Sequence, residues 1–278
     1  ALVRSAGSGP GAREARAPVT IPIDTARVQR LVRTTPDGPP TVAERTGADA
    51  WKLRWTDASG RPSSWNADPG RVRAALRLLG TAEIVPSKEE HDLGPERTVR
   101  AEEADGRSVE IWFGPRAAGG QTPIVVLIKG PDGVAERRID GRIGSGVPDA
   151  FVRTDWTAWR DPTIFDAGAS VVDAVNIESG SNRVRLERAA RGWAVTEPFP
   201  FAADAGEVER MIGVLQGMRA ASFDDAAQDD GVSGLDKPIA TVRVESRAGV
   251  RTLSIGRTAS ADGKARFVAE ARPLLDRI

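Results

Sequence analysis

The chain has 278 residues, of which 40% are hydrophobic and 28% charged, and 39 basic side chains balance 39 acidic ones. This composition is typical of a folded protein rather than a disordered one, and the length allows two domains of ordinary size. The even charge gives no reason to expect a nucleic-acid partner. The absence of cysteine excludes disulfides, thiolate metal sites and cysteine nucleophiles.

The first residues form a tract rich in Gly, Ala, Arg and Pro that shows no apolar periodicity. We therefore predict a flexible linker over residues 1–23. A linker at the start of a chain usually follows another segment, and we expect an N-terminal membrane helix, absent from this chain, to precede it. Within the chain, no apolar run reaches the roughly 18 residues that would span a bilayer.

The segment ADPGRVRAALRLLG at 67–80 predicts an amphipathic helix. Asp68 is a favoured N-cap residue, and Pro69 is tolerated at the first helical position. Apolar side chains then recur at the spacing of one buried helix face, at Val72, Ala75, Leu76 and Leu79.

Nearly the same segment returns as ADAGEVERMIGVLQ at 203–216, where Asp204 is the N-cap and Glu207 lies three residues on, as in a capping box. A strand pair containing Trp51 or Trp193 precedes each helix, and a hairpin follows it. This period of about 140 residues is too long for a solenoid and indicates a duplicated domain.

The repeat predicts an α+β fold built from two tandem homologous units. We assign residues 24–165 to the first unit, which includes a junction helix, and residues 166–278 to the second. Each unit is expected to be a mainly antiparallel β-sheet with one amphipathic helix packed across it.

The motifs of the second unit, together with the junction before it, resemble a known bacterial family. They are, in chain order, Trp159-Arg160-Asp161 with Phe165, Val172/Val175/Ile177, Gly192-Trp193, Asp204, Gly234-Leu235-Asp236-Lys237-Pro238, Thr241-Val242-Arg243-Val244 and Leu253-Ser254-Ile255-Gly256. The pattern is similar to DUF4340, a domain of unknown function. It covers the chain in two copies, of which the second matches better and is cut short at the C-terminus.

This resemblance implies a non-catalytic, membrane-tethered accessory or scaffold domain in the bacterial cell envelope. Members of the family typically follow a membrane helix and face the outside of the cytoplasmic membrane, a periplasmic location. Many accompany ABC transporters of the gliding-motility auxiliary kind, so the expected partner is a membrane protein such as a transporter permease or ATPase. The family has no established catalytic residues, and we predict no catalytic, metal or cofactor site.

Two alternatives remain open. One is a binding module for envelope polysaccharide or peptidoglycan, which predicts a groove with at least two exposed tryptophans. The other is an uncharacterised hydrolase, which predicts that His91, the single histidine, meets several carboxylates in a pocket. A solvated loop explains Glu89, His91 and Asp92 more simply.

The stretch DWTAWRD at 155–161 is the most ambiguous. Trp156 and Trp159 share one helical face with Arg160 beside them. Packing between the two units is the simpler explanation. If exposed, Trp156, Trp159 and Arg160 are the candidate partner-binding residues, because Trp and Arg are enriched at interface hot spots.

Overall fold

The computed structural model describes residues 17–57, 60–117, 119–165, 171–223, 230–259 and 266–271. The chain divides into two compact units between Asp161 and Pro162. The boundary lies earlier than the sequence predicted, because Phe165 is buried in the core of the second unit. No helix among the described residues is both long and apolar enough to cross a membrane.

The first unit contains one antiparallel sheet. Its strands are β1 (Val19–Thr20), β2 (Val28–Thr35), β3 (Gly38–Arg45), β4 (Trp51–Thr56), β5 (Pro62–Asn66), β6 (Glu83–Pro86), β7 (Thr98–Glu103), β8 (Ser108–Phe113), β9 (Thr122–Lys129) and β10 (Ala135–Ile143). They lie side by side in the order β1-β6-β10-β9-β8-β7-β2-β3-β4-β5. Helix α1 (Pro69–Thr81) follows β5. After β10 come α2 (Gly146–Pro148), a π-helical turn (Asp149–Arg153) and a 3-10 helix (Trp156–Trp159).

The second unit contains a smaller antiparallel sheet. Its described strands are β11 (Val172–Ser179), β12 (Asn182–Ala189), β13 (Gly192–Glu197), β14 (Phe201–Ala203), β15 (Ala240–Ser246), β16 (Gly249–Thr258) and β17 (Arg266–Ala271). Their order is β14-β13-β12-β11-β15-β16-β17. Helix α3 (Ala205–Gln216) follows β14, and the short helix α4 (Asp230–Ser233) precedes β15.

The two sheets share one topology. Seven neighbouring strands of the first sheet run β5-β4-β3-β2-β7-β8-β9, which matches the whole described order of the second sheet, strand for strand. In both units the helix follows the edge strand. The pairing register also shifts at the same place, between Val28 and Arg30 in β2 and between Val172 and Ala174 in β11. The shared order and the shared bulge support a duplication of the fold.

One ion-pair arrangement on the first sheet joins three neighbouring strands. Arg30 on β2 lies 3.4 Å from Glu44 on β3 and 3.3 Å from Glu102 on β7. These half-exposed charges hold the central strand to both of its neighbours on the side of the sheet away from the core.

The second sheet keeps the two glutamates and changes the strand that supplies the arginine. Glu187 and Glu245 lie at the positions of the first unit's pair, but the residue between them is Ala174. Arg185 of the adjacent strand reaches both carboxylates instead, at 2.7 Å and 3.3 Å. In the second unit the ion pairs therefore link β12 to β15 across β11, which supplies no charged group to them.

The prediction of an α+β fold with a helix packed across each sheet is wrong. Of the described residues, 48% are in strands and 17% in helices, so the protein is mainly antiparallel β. A helix of 13 residues is about 20 Å long, whereas ten strands span more than about 40 Å. The helix therefore covers only part of the sheet and contributes four of the buried side chains in a core made mostly by strands.

Part of the segment predicted to be a linker forms a strand. Its first 16 residues lie outside the described part of the chain, but Val19–Thr20 forms β1, which pairs with β6. Ile21 is buried against the first core, as Phe165 is in the second. The sequence pattern does not reveal this strand, because it is only two residues long and follows a tract rich in Gly and Ala.

Both predicted helix caps are present. The carboxylate of Asp68 accepts hydrogen bonds from the N–H groups of Gly70 and Arg71, at 2.8 Å and 3.2 Å. Asp204 accepts the equivalent bonds from Gly206 and Glu207 at the same distances. Each cap satisfies two N–H groups that have no acceptor within the helix.

Replacing Asp204 by Ala should therefore lower the free energy of unfolding by about 1 kcal/mol. Asp204→Asn is the matched control, because an amide oxygen caps a helix about as well, and it should have little effect. Urea unfolding followed by circular dichroism measures both. Equal losses in the two variants would contradict a capping role.

Candidate functional site

The loop around His91 is tied to the neighbouring strand by its main chain. The His91 N–H donates to Asp140 Oδ1 at 2.7 Å, and Arg138 donates to the His91 carbonyl at 2.8 Å. The ring Nε2 lies 3.1 Å from the carbonyl oxygen of Gly141, so this nitrogen carries the proton. Glu89 and Asp92 are exposed. Within the described residues, no three acidic or histidine side chains are grouped as a metal site would require.

The candidate residues Trp156, Trp159 and Arg160 lie inside the first unit, with exposed fractions of 0%, 5% and 6%. The two indole rings stack with centroids 4.6 Å apart, and both meet Phe151 edge-on at about 6 Å. Arg160 lies over the ring of Trp55 at 5.2 Å. Trp156 and Trp159 pack in the hydrophobic core of the first unit, and all three side chains are buried in this structure.

The aromatic cluster belongs to a segment that covers one side of the first unit. We call residues 146–161 the strap. Along the edge strand β5, the strap forms main-chain hydrogen bonds: the Asp161 N–H donates to the carbonyl of Asn66 at 2.8 Å, and the Asp68 N–H donates to the carbonyl of Trp159 at 2.7 Å. The indole N–H of Trp65 donates to the carbonyl of Asp161 at 3.1 Å. The strap therefore satisfies main-chain groups at the C-terminal end of this edge strand.

The strap also covers one face of helix α1. Arg71, in the first turn, donates to the carbonyl of Ala158 at 2.6 Å. In the last turns, Leu78 lies against Gly146, where an added Cβ would be 3.6 Å from Leu78 Cδ1. The helix face between these two contacts includes Ala75, which is buried. Strap, helix and edge strand thus form one packed side of the first unit.

In the second unit, no described residue covers the matching surface. A constant offset of 136 residues relates the two helices and the strands before them, so Trp65, Arg71, Ala75 and Leu78 correspond to Phe201, Glu207, Met211 and Val214. We call these last four residues the open face. Phe201 is 59% exposed and Val214 is 63% exposed, and Phe199, just before β14, is 73% exposed.

A groove marks the open face on helix α3. It has a volume of about 310 Å³ and is lined by Glu207, Val208, Arg210, Met211 and Val214. Helix α3 buries Val208, Ile212 and Leu215 in its own core, so Met211 and Val214 form a second apolar row beside the buried one. An apolar row at the surface, next to a strand edge that no described strand pairs with, is typical of a docking site.

The open face was not predicted from the sequence. A signal was available at Val214, because a helix with one buried face needs no apolar residue at that position, whereas Met211 continues the spacing of the buried face. The sequence alone could not show that the strap covers the matching row in the first unit, since the strap residues are more than 60 positions away from that helix in the chain.

All seven tryptophans lie in the described part of the chain, and each is buried or half-buried. Three of them, Trp51, Trp55 and Trp193, carry an arginine side chain over the ring at 4.6–5.2 Å. The groove of exposed tryptophans expected for a polysaccharide-binding module is not formed by these residues.

The comparison with protein families addresses the second unit. Residues 193–273 match DUF4340, a domain of unknown function. The resemblance inferred from the sequence is confirmed for this segment, which begins in β13 and contains α3 and the open face. A second copy of the family in the first unit stays a prediction. Among curated proteins, none matches the chain.

The contacts of Asp140 predict how pH affects the His91 loop. The hydrogen bond from Arg138 holds the pKa of Asp140 below its ordinary value, with partial burial opposing the shift and the His91 N–H assisting it. A carboxylate whose pKa is lower in the folded protein than in the unfolded chain stabilises the fold. This contribution is fully present above the unfolded-state pKa of about 3.9 and is lost as the pH falls through the folded-state pKa.

Asp140→Asn should therefore unfold more easily than the wild type at pH 7, and this difference should stay constant down to about pH 5 and shrink below about pH 4. Asp173→Asn, on the exposed side of β11, controls for the loss of one carboxylate. Urea unfolding measured between pH 7 and 3 tests the prediction. A difference that is independent of pH would show that Asp140 does not act through its charge.

Proposed function

We propose that the protein is a non-catalytic accessory protein that acts by binding another protein through the open face of the second unit. The observation that carries this proposal is the contrast between the units. The strap covers this surface in the first unit. In the second unit, the equivalent positions form a surface that no described residue covers.

The covered surface indicates what kind of segment the open face would bind. The strap supplies aromatic side chains, main-chain groups for the edge strand and a small helical turn against the helix. The open face offers Phe201 on an edge strand and an apolar groove beside it. A partner segment that is extended, aromatic and aliphatic fits these features, with main-chain pairing for affinity and side-chain contacts for specificity.

The identity of the partner follows from the family resemblance. We propose the permease, the membrane subunit of an ABC-type transporter system of the gliding-motility auxiliary kind. In this proposal the protein is held at the extracytoplasmic face of the cytoplasmic membrane by a helix outside this chain. The match of residues 193–273 to DUF4340 supports the assignment to this family, and the family's usual association with such transporters supports the partner.

The proposal is tested by cross-linking in native membranes, followed by affinity purification of the full-length protein and mass spectrometry. Val214→Asp places a charge in the groove at a position that is 63% exposed, so the fold should tolerate it. We expect this variant to recover transporter subunits at about one tenth of the wild-type level or less, since a buried unpaired charge weakens an interface strongly.

Val134→Asp is the matched control, because Val134 is 61% exposed and lies in the turn before β10 of the first unit. It should recover the partner at the wild-type level. Equal recovery by all three proteins would show that the open face is not the binding surface. Recovery of no transporter subunit by the wild type would contradict the proposed partner.

A variant that ends at Ala271 tests whether the open face binds a partner or is filled by residues 272–278, which lie outside the described part of the chain. Its recovery of the partner should equal that of the wild type. A marked rise would show that residues 272–278 occupy the open face in the intact chain and compete with the partner.

A further inference from the structure

We propose that the first unit binds a phosphate group in a cleft at one end of its sheet. This site is separate from the open face and goes beyond the proposed contact with a transporter. It is formed by residues of strands β2, β3, β8 and β9, by Arg97 just before β7, by residues of the adjoining loops, and by the strap.

The cleft lies where the core-facing rows of these strands end. Alternate residues of β2 and β7, such as Leu31 and Val99, point into the core and are buried. Continuing the same alternation places Arg33 on β2 and Arg97 just before β7 on the core side of the sheet. Arg33 is half-buried there, and a partly buried charge needs a partner or a ligand.

The cleft carries an excess of positive charge. Four arginines line it, namely Arg33, Arg97, Arg116 and Arg153, together with two aspartates, Asp37 and Asp155. Arg153 is also paired with Asp149 outside the cleft. A concave site with this excess attracts anions, because its walls exclude part of the water that would screen the charges.

Arg33 is fixed in place at the inner side of the cleft. Its Nη2 donates to the carbonyl of Val152 in the strap at 3.0 Å. Its Nε is buried and has no hydrogen-bond partner among the described residues. Burial lowers the pKa of the Arg33 guanidinium, and the charge of Asp155 opposes that shift. A half-buried guanidinium with a spare donor is suited to an anion that arrives from solution.

Thr122 provides an independent observation that points to a ligand. Its side chain lines the cleft and is only 1% exposed, yet its hydroxyl oxygen has no hydrogen-bond partner among the described residues. A buried hydroxyl without a partner costs free energy in the unliganded protein. A bound oxyanion would accept the hydrogen bond that this hydroxyl can donate.

The donors favour phosphate as the bound group. Guanidinium groups and hydroxyls match its several acceptor oxygens, and its charge near −2 offsets the excess of arginine over aspartate. The cleft has a volume of about 600 Å³, larger than a phosphate ion needs, and Phe113, Pro39 and Val152 provide an apolar wall. The shared chemistry is a phosphate group, either free or carried on an organic molecule.

Isothermal titration calorimetry of the whole chain with inorganic phosphate, and separately with phenyl phosphate, tests the site at low salt. We expect measurable binding that weakens as salt is added. Arg97→Gln and Thr122→Val should each weaken it by about tenfold, because each removes a hydrogen bond to a charged group. Arg142→Gln, an exposed arginine of β10 outside the cleft, is the matched control and should leave the affinity unchanged.

Phenyl phosphate and inorganic phosphate distinguish the two sources. Affinity for phenyl phosphate that is at least about tenfold higher supports an organic phosphate whose apolar part lies on the Phe113 wall. Equal affinities support free phosphate. The proposal is overturned if the wild type binds neither compound, or if Arg142→Gln weakens binding as much as Arg97→Gln does.

Unfolding experiments on Thr122→Val separate a ligand role from a structural one. Valine has nearly the same shape as threonine and removes the unpartnered hydroxyl, so the unliganded variant should be as stable as the wild type or more stable. A ligand role therefore predicts weaker phosphate binding without loss of stability. A clear loss of stability in the absence of phosphate would show that the hydroxyl serves the fold and would contradict the proposal.

Discussion

The edge strand that precedes each helix sets the main constraint on this protein. An antiparallel sheet leaves unpaired main-chain groups at its last strand, and a short helix beside it exposes a flank that its own core does not bury. In the first unit the strap contacts both, with one main-chain hydrogen bond to the last residue of β5, a second from Asp68 just after it, and packing along α1. In the second unit no described residue does so. The proposed function follows from this difference.

The strap also forms part of the basic cleft of the first unit. Its tryptophans close one side of the first unit, and its π-helical turn supplies Val152 and Arg153 to the basic cleft. Burial of Trp156 and Trp159 thus holds the cleft wall as well as the edge strand. These two roles account for the high aromatic content of the strap. From the sequence alone, the same tryptophans also fitted a surface exposed to a partner.

The sequence predicted the parts of the fold that depend on local patterns. Asp68 and Asp204 cap the two helices as expected, and the duplicated order of strands follows from the repeat. The predicted fold class was wrong, because helix periodicity shows that a helix has one buried face but does not show how much of the sheet the helix covers. The ion-pair triad also escaped detection, since its arginine, Arg30 in one unit and Arg185 in the other, comes from positions that do not align.

The most direct test of the contrast between the units is hydrogen exchange of two equivalent main-chain amides, resolved by residue in the intact chain. The Asp68 N–H donates to the strap at 2.7 Å, whereas the Asp204 N–H has no acceptor among the described residues. The account predicts slow exchange at Asp68 and exchange at least about tenfold faster at Asp204. Equally slow exchange at both would show that the second unit is already covered, and would contradict an open docking face.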